Sequence, residues 1–236
     1  MKKLPVLIIA AIMLVLSSCK KINGEGDLIT ETRTTGDFSG IDSRISGDVM
    51  YMQGTEYKIE LTAQPNVLNV IETPIINNKV VIRFKDDVRV RSHEQITVKI
   101  TAPSINSIDL SGSGNVTALS PVNGNALYFK LSGSGNLSLP SVITTSLEAT
   151  ISGSGNISIS NGSTVTQTFR ISGSGNIDAQ NVAGKSAITS TSGSGTIKLN
   201  ATETLDVTIS GSGSVFYSGR PIIKTNISGS GHVTHL

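Results

Sequence analysis

The chain contains no tryptophan, a single cysteine and three histidines, and aromatic residues make up only 4% of it. Each scarcity excludes something. One cysteine rules out a disulfide within the chain, so the fold rests on non-covalent packing. The histidines stand at 93, 232 and 235, too dispersed to assemble a metal centre or a histidine-based catalytic pair. With so few aromatic rings, 236 residues must build their core from Ile, Val and Leu, which favours a thin, regular β interior. Charged residues amount to 15% and the formal net charge is +2, against the usual quarter for globular chains. Nucleic acid is excluded as a partner, because binding it needs a concentrated Lys/Arg footprint to neutralise phosphates. No cofactor and no metal are expected.

Long apolar runs are also scarce. The one that exists, Leu4 to Leu16, is 13 residues long, short of the roughly 20 needed to span a bilayer. It follows Lys2 and Lys3 and precedes Leu16-Ser17-Ser18-Cys19, which resembles a bacterial lipobox. Residues 1–18 are accordingly expected to be a lipoprotein signal peptide, with Cys19 lipidated and residues 19–26 forming a lipid-bearing, flexible tether. An ordinary secretory signal beside an incidental cysteine is the plain alternative. Acyl chains on Cys19 would hold the protein to a membrane without spanning it, each buried CH₂ contributing about 0.8 kcal/mol. The expected address is the cell envelope, anchored at the outer membrane on either its surface or its periplasmic face.

Glycine is what the chain has in quantity. Ser-Gly-Ser-Gly or a one-letter relative begins at Ser111, Ser132, Ser152, Ser172, Ser192, Ser210 and Ser228, at spacings of 21, 20, 20, 20, 18 and 18 residues. A period near 20 flanked by apolar residues marks a solenoid in which one repeat makes one coil. Reading alternate residues gives Phe129, Leu131, Gly133, Gly135, Leu137 and Leu139 on one face, then Ala149, Ile151, Gly153, Gly155, Ile157 and Ile159. The opposite face carries serine and asparagine. Glycine is therefore expected inside, where coils crowd, with serine outside and the motif extended or gently bent. Tight turns are expected instead at Asn123-Gly124, Asn161-Gly162, Ala183-Gly184 and Ser218-Gly219. The polar last coil, with His232, Thr234 and His235, is expected to act as a modest end cap.

The fold class predicted is all-β, a right-handed parallel β-helix of about seven regular coils over residues 108–236, preceded by a less regular β region over 27–107. In that first region Tyr57 to Ala63, Val80 to Phe84 and Ile96 to Ile100 read as strands. Asn66 to Glu72 reads as a short helical turn, and Ser46-Gly47-Asp48 looks like a degenerate copy of the later repeat. The mixed-charge run Arg83 to Arg91 reads as a solvated strand edge or hairpin that discourages edge pairing, with a protein-docking role as the alternative.

The motifs that carry chemistry elsewhere fail here on residue type. Calcium-binding rolls need a carboxylate in each turn, whereas the matching column is Asn115, Asn136, Asn156, Asn176, Thr196, Ser214 and His232. A phosphate loop needs a following helix and a Lys-Ser/Thr pair; neither is present. A polysaccharide-active enzyme would need paired carboxylates, but Asp109, Glu148, Asp178, Glu203 and Asp206 are scattered. The candidate surface is the outward ladder Ser113, Asn115, Ser134, Asn136, Ser154, Asn156, Ser174 and Asn176. One reading is that these residues only stack and lock the register of the coils. The other is that they form a regular hydroxyl-and-amide wall for a glycan or protein ligand.

Taken in order, Phe38-Ser39-Gly40-Ile41, Gly47-Asp48-Val49, Gln53-Gly54, Tyr57-Lys58-Ile59, Asn66 to Ile71, Val98 to Pro103 and the Ser-Gly-Ser-Gly-Asn coils resemble the head GIN domain family of autotransporter adhesins. The resemblance runs over about residues 38–234. It implies a right-handed β-helical fold and an envelope location, and it carries no catalytic or binding residues across. The expected function is a non-catalytic envelope lipoprotein, an adhesin or a binding and structural module. A periplasmic protein that docks a protein partner is the alternative, and a polysaccharide-active enzyme a more distant one. A homo-oligomer would suit such a module.

Overall fold

The structure, a computed structural model, describes residues 20–236. The expected signal peptide and the lipidation of Cys19 lie outside the described residues. In chain order the first elements are β1 (Lys20–Asn23), β2 (Ile29–Thr34), β3 (Gly40–Ser43), β4 (Asp48–Gln53) and β5 (Lys58–Ala63). A single helical turn, α1 (Pro65–Leu68), leads to β6 (Ile71–Glu72), β7 (Ile75–Ile76), β8 (Lys79–Phe84), β9 (Val88–Ser92) and β10 (Thr97–Ala102). The repeats then supply β11 (Ser107–Leu110), β12 (Asn115–Ala118), β13 (Val122–Leu131), β14 (Asn136–Leu139), β15 (Val142–Ile151) and β16 (Asn156–Ile159). The last elements are β17 (Gly162–Gly173), β18 (Asn176–Gly193), β19 (Thr196–Gly211), β20 (Ser214–Ser218), β21 (Ile222–Gly229) and β22 (His232–His235).

The repeats form a β-solenoid of about six turns. Seven Ser-Gly-Ser-Gly corners bound six full turns, which reconciles the motif count with the coil count. Equivalent residues stack in parallel register, as in Leu131 beside Ile151 and Ile151 beside Ile171. The interior is a set of apolar columns, among them Leu137, Ile157, Ile177, Ile197 and Val215, all buried. Each fully buried side chain of this size contributes about 1.5–3 kcal/mol.

Two features of the coil differ from the expectation. Asn123-Gly124 lies inside β13 and Ala183-Gly184 inside β18, so neither is a tight turn. The corner instead falls just after Gly124, where the ladder skips Asn125 and Thr145 and the inward phase moves from Thr144 to Leu147. The buried Thr144 and Thr164 hydroxyls make this corner tolerable, because each reaches backbone carbonyls there, at 2.9–3.0 Å for Thr144 and 3.0–3.2 Å for Thr164. Ser-Gly-Ser-Gly is the other corner, bent between two strands, with serines outward and the second glycine buried.

The N-terminal region shares the same core. β3 and β4 form a tier directly beneath β11 and β12, with Ile41 beside Ile108 and Val49 beside Val116. Beneath them lies a lower tier made of β8 and β10. β5 runs antiparallel to β10 and to β2, and β7 runs antiparallel to β8, its hairpin turned by Asn77 and Asn78 at φ 51° and 60°. The expected flexible tether is not what is found at its start: β1 pairs in parallel with β9, Lys21 beside Arg89. The mixed-charge run therefore accepts an edge partner, because Val88 and Val90 alternate with its arginines and match Lys20 and Ile22 of β1.

One defect in the columns was invisible in the sequence. Thr189 and Thr191 occupy inward positions between Phe169 and Ile171 below and Val207 and Ile209 above, and their buried hydroxyls have no partner among the described residues. An unsatisfied buried hydroxyl costs about 1–3 kcal/mol. Thr191→Val, which keeps the shape and removes the orphan, is expected to stabilise the protein by about 1 kcal/mol. Thermal unfolding checks this; an unchanged or lowered midpoint would contradict it.

Candidate functional site

The solenoid lines up the asparagines that follow each Ser-Gly-Ser-Gly corner. Asn115, Asn136, Asn156 and Asn176 stand in direct register at the starts of β12, β14, β16 and β18. The Nδ2 group of Asn136 donates to Oδ1 of Asn115 at 3.0 Å, Asn156 donates to Asn136 at 2.8 Å, and Asn176 to Asn156 at 2.8 Å. All the donors point the same way. At the lower end Asn115 Nδ2 donates to Oδ1 of Asp48 at 2.9 Å, and Gln95 donates to the other carboxylate oxygen. At the upper end the backbone N–H of Thr196 donates to Asn176 Oδ1 at 3.2 Å.

This chain of amides has a polarity. Its aligned N–H groups put their positive ends toward Asp48, so a carboxylate there meets a favourable dipole, by the same logic that favours anions at helix N-termini. The series is closed at both ends. Sequence reasoning missed Asp48 and Gln95 as part of it. A signal was available, since Asp48 follows Ser46-Gly47 as Asn115 follows Ser113-Gly114.

The ladder spends only part of its hydrogen-bonding capacity. Each amide carries two donors and an oxygen with two lone pairs; the internal chain uses one donor and one lone pair. Asn115, Asn136, Asn156 and Asn176 are all exposed, as are Ser113, Ser134, Ser154 and Ser174 on the adjoining corner. The eight residues are thus brought onto one wall at a repeat of about 4.8 Å. A shallow groove of about 500 Å³ runs along its lower part, lined by Asp48, Met50, Asn115, Thr117, Leu119, Asn136 and Ser138.

A second shallow groove, of about 390 Å³, opens at the corner below Ser111 and Ser132 and is lined by Asp42, Arg44, Asp109 and Lys130. Its charges are largely committed. Arg44 binds Asp42 at 2.6 Å, which raises the guanidinium pKa above its ordinary value, and Lys79 binds Asp109 at 2.6 Å. No group of three or more His, Cys, Asp or Glu able to hold a metal occurs among the described residues. Nor, among those residues, is any helix long and apolar enough to cross a membrane.

Comparison with known proteins fits this architecture. The family model described as "Putative auto-transporter adhesin, head GIN domain" matches residues 37–221. No curated protein matches the chain. Among solved structures, a "putative adhesin" from Bacteroides fragilis is 26% identical with a TM-score of 0.86, over 91% of this chain and 100% of that one. A "putative adhesin" from Parabacteroides merdae is 24% identical with a TM-score of 0.76, over 92% and 99%. A "putative lipid binding protein" from Parabacteroides distasonis is 24% identical with a TM-score of 0.74, over 92% and 100%. The last two are likenesses of fold alone.

Proposed function

The chain belongs to the head GIN domain family, and on that premise we propose that it is a non-catalytic, lipid-anchored envelope protein whose solenoid wall is an adhesive surface. The observation that carries this reading is the amide ladder. A wall whose side chains are already tied to one another loses little rotamer freedom when a ligand arrives. What each asparagine has left is one donor and one acceptor, repeated at a fixed pitch, which suits a ligand that itself repeats hydroxyl or amide groups. A glycan chain has that chemistry. Cys19, as the lipidation site, would hold the wall at the membrane.

The test is a glycan array probed with the full chain carrying Cys19→Ala, against the same chain with Asn136→Ala and Asn156→Ala. Expected are selective signals that fall at least about tenfold when the two amides are removed, since hydrogen bonds to a ligand typically contribute about 1 kcal/mol each. Signals that survive both substitutions would remove the ladder from the function. For the anchor, Cys19→Ala is expected to move the protein from the membrane fraction to the soluble fraction of lysed cells. Unchanged retention in the membrane fraction would rule lipidation out.

A further inference from the structure

The two ends of the solenoid are built differently. At the lower end the outer edges of β8 and β10 are covered by β7 and β5, and the polar strand β2, beyond β5, is the last one, with no strand past it among the described residues. At the upper end β21 pairs with β19 and β22 with β20, and no strand lies beyond either among the described residues. The polar residues expected to cap the last coil, His232, Thr234 and His235, stand exposed on β22, but β21 on the other sheet is mostly apolar at its inward positions. The inward column that is buried at Leu205, Val207 and Ile209 continues as Ile223, Thr225 and Ile227, where Ile223 is 38% and Ile227 41% exposed. These are core positions without a next tier among the described residues. The neighbouring Ile222 is 81% exposed. An eight-residue edge with unpaired backbone groups and apolar core residues is a template for another strand.

We propose that this edge is the docking surface for a second copy of the chain, the two copies meeting upper end to upper end about a two-fold axis with their β21 strands antiparallel. The lower end closes on β2, whose Thr30-Glu31-Thr32-Arg33-Thr34 run is polar and holds the Glu31–Arg33 ion pair, so it gives Ile223 and Ile227 no apolar counterpart. The upper end matches a second upper end, and the contact closes as a pair. Register selects the same arrangement. Centring the antiparallel pair on Thr225 places Ile223 opposite Ile227 twice, on the core side, and Lys224 opposite Asn226 twice, on the outer side. Centring it on Lys224 would oppose two ammonium groups, and centring it on Asn226 would set Ile223 against Gly229. Size is sufficient as well. Eight residues extend about 26 Å and two packed sheets with their side chains about 20 Å, an end face on the order of 500 Å² per copy. The pair then covers about 1,000 Å², the lower bound for a specific, reversible association. Pairing would set two ladder walls in one particle, and with them the gain of bivalent attachment.

This dimer stands apart from the adhesive reading, and its test does not use a ligand. Sedimentation of the full chain in detergent, over a concentration series, is expected to show a monomer–dimer equilibrium. Thr225→Lys places like charges opposite each other on the two-fold and is expected to weaken the dimer by roughly tenfold or more. Thr225 is exposed in the last tier, so the thermal midpoint should hold. In a Cys19→Ala background, Thr225→Cys is expected to form a disulfide dimer on mild oxidation, because opposed Cα atoms in an antiparallel pair lie within disulfide reach. Ile223→Cys alone should not, since its counterpart is displaced along the strand. A monomer at every concentration, or a dimer indifferent to Thr225→Lys, would overturn the proposal; equal cross-linking from Ile223→Cys would overturn its register.

Discussion

Gly135→Ala is expected to lower the unfolding free energy by at least about 3 kcal/mol, well beyond the usual cost of a single substitution. The reason is visible in the tier spacing. A Cβ on Gly135 would lie 1.8 Å from the carbonyl oxygen of Gly114 in the tier below and 3.1 Å from Leu110 Cδ2. That oxygen is backbone, so relief requires the two tiers to separate, and the ladders on both sides of the corner resist. The same collision recurs up the column, where Cβ atoms on Gly155 and Gly175 would stand 2.0 and 2.2 Å from the carbonyls of Gly135 and Gly155. Gly124→Ala is the control. Its Cβ would meet nothing closer than Leu127 Cδ2 at 3.3 Å, and removing a strand glycine reduces the entropy lost on folding, so a neutral effect or a small gain is expected. Denaturant unfolding of the two variants decides the matter; a Gly135→Ala loss below about 1 kcal/mol would mean that the tiers are far softer than drawn.

The second large effect is expected in alkali. Tyr51 is 1% exposed, and burial pushes its phenol up to about 12 from 10.0. Because burial disfavours the phenolate, the folded state holds its proton more tightly than the unfolded state. Stability from this group is complete below pH 10 and falls as pH rises from there through 12. The loss amounts to about 2–3 kcal/mol at the upper end, at about 1.4 kcal/mol per pKa unit. Tyr51→Phe should remove that part of the decline while costing little at neutral pH. Its hydroxyl donates to the Ala102 carbonyl at 3.3 Å, but the same carbonyl also accepts the Gly54 N–H at 3.1 Å, so no acceptor is orphaned. Unfolding curves of both proteins between pH 9 and pH 12 carry the test; parallel declines would assign the alkaline loss to other groups.

Much of the fold could be read from spacing because a solenoid repeats one local solution. The Ser-Gly-Ser-Gly period placed the corners, and the alternation around it placed Leu137, Ile157 and Ile177 inside, where they are found. What failed was punctuation. Asn123-Gly124 has the composition of a tight turn, yet in a stacked coil the neighbouring tier dictates the backbone path, and the bend moved one residue along. The pairing of β1 with β9 was hidden for a different reason: it joins segments nearly 70 residues apart, and nothing local announces a partner at that distance. The ladder was half legible. Its asparagines were found from the repeat, but its Asp48 terminus lies in a degenerate copy, and Gln95 comes from a strand connection outside the repeat altogether.

The stacking order of the lowest tiers has a consequence for how the chain acquires its structure. β3 and β4 come early in the chain, yet they are roofed by β11 and β12 and floored by β8 and β10, all synthesised later. The first tier made therefore cannot be completed until the chain has passed Ala118, and that closure is the slow, long-range step. Every turn after it adds to a finished template about 20 residues away and proceeds quickly, in the manner of repeat proteins. Folding is thus expected to start at the N-terminal end and to run toward β22, the direction in which the chain emerges during synthesis or export. Substitutions around Ile41, Val49 and Val116 should slow refolding, whereas those in β19 or β21 should chiefly hasten unfolding.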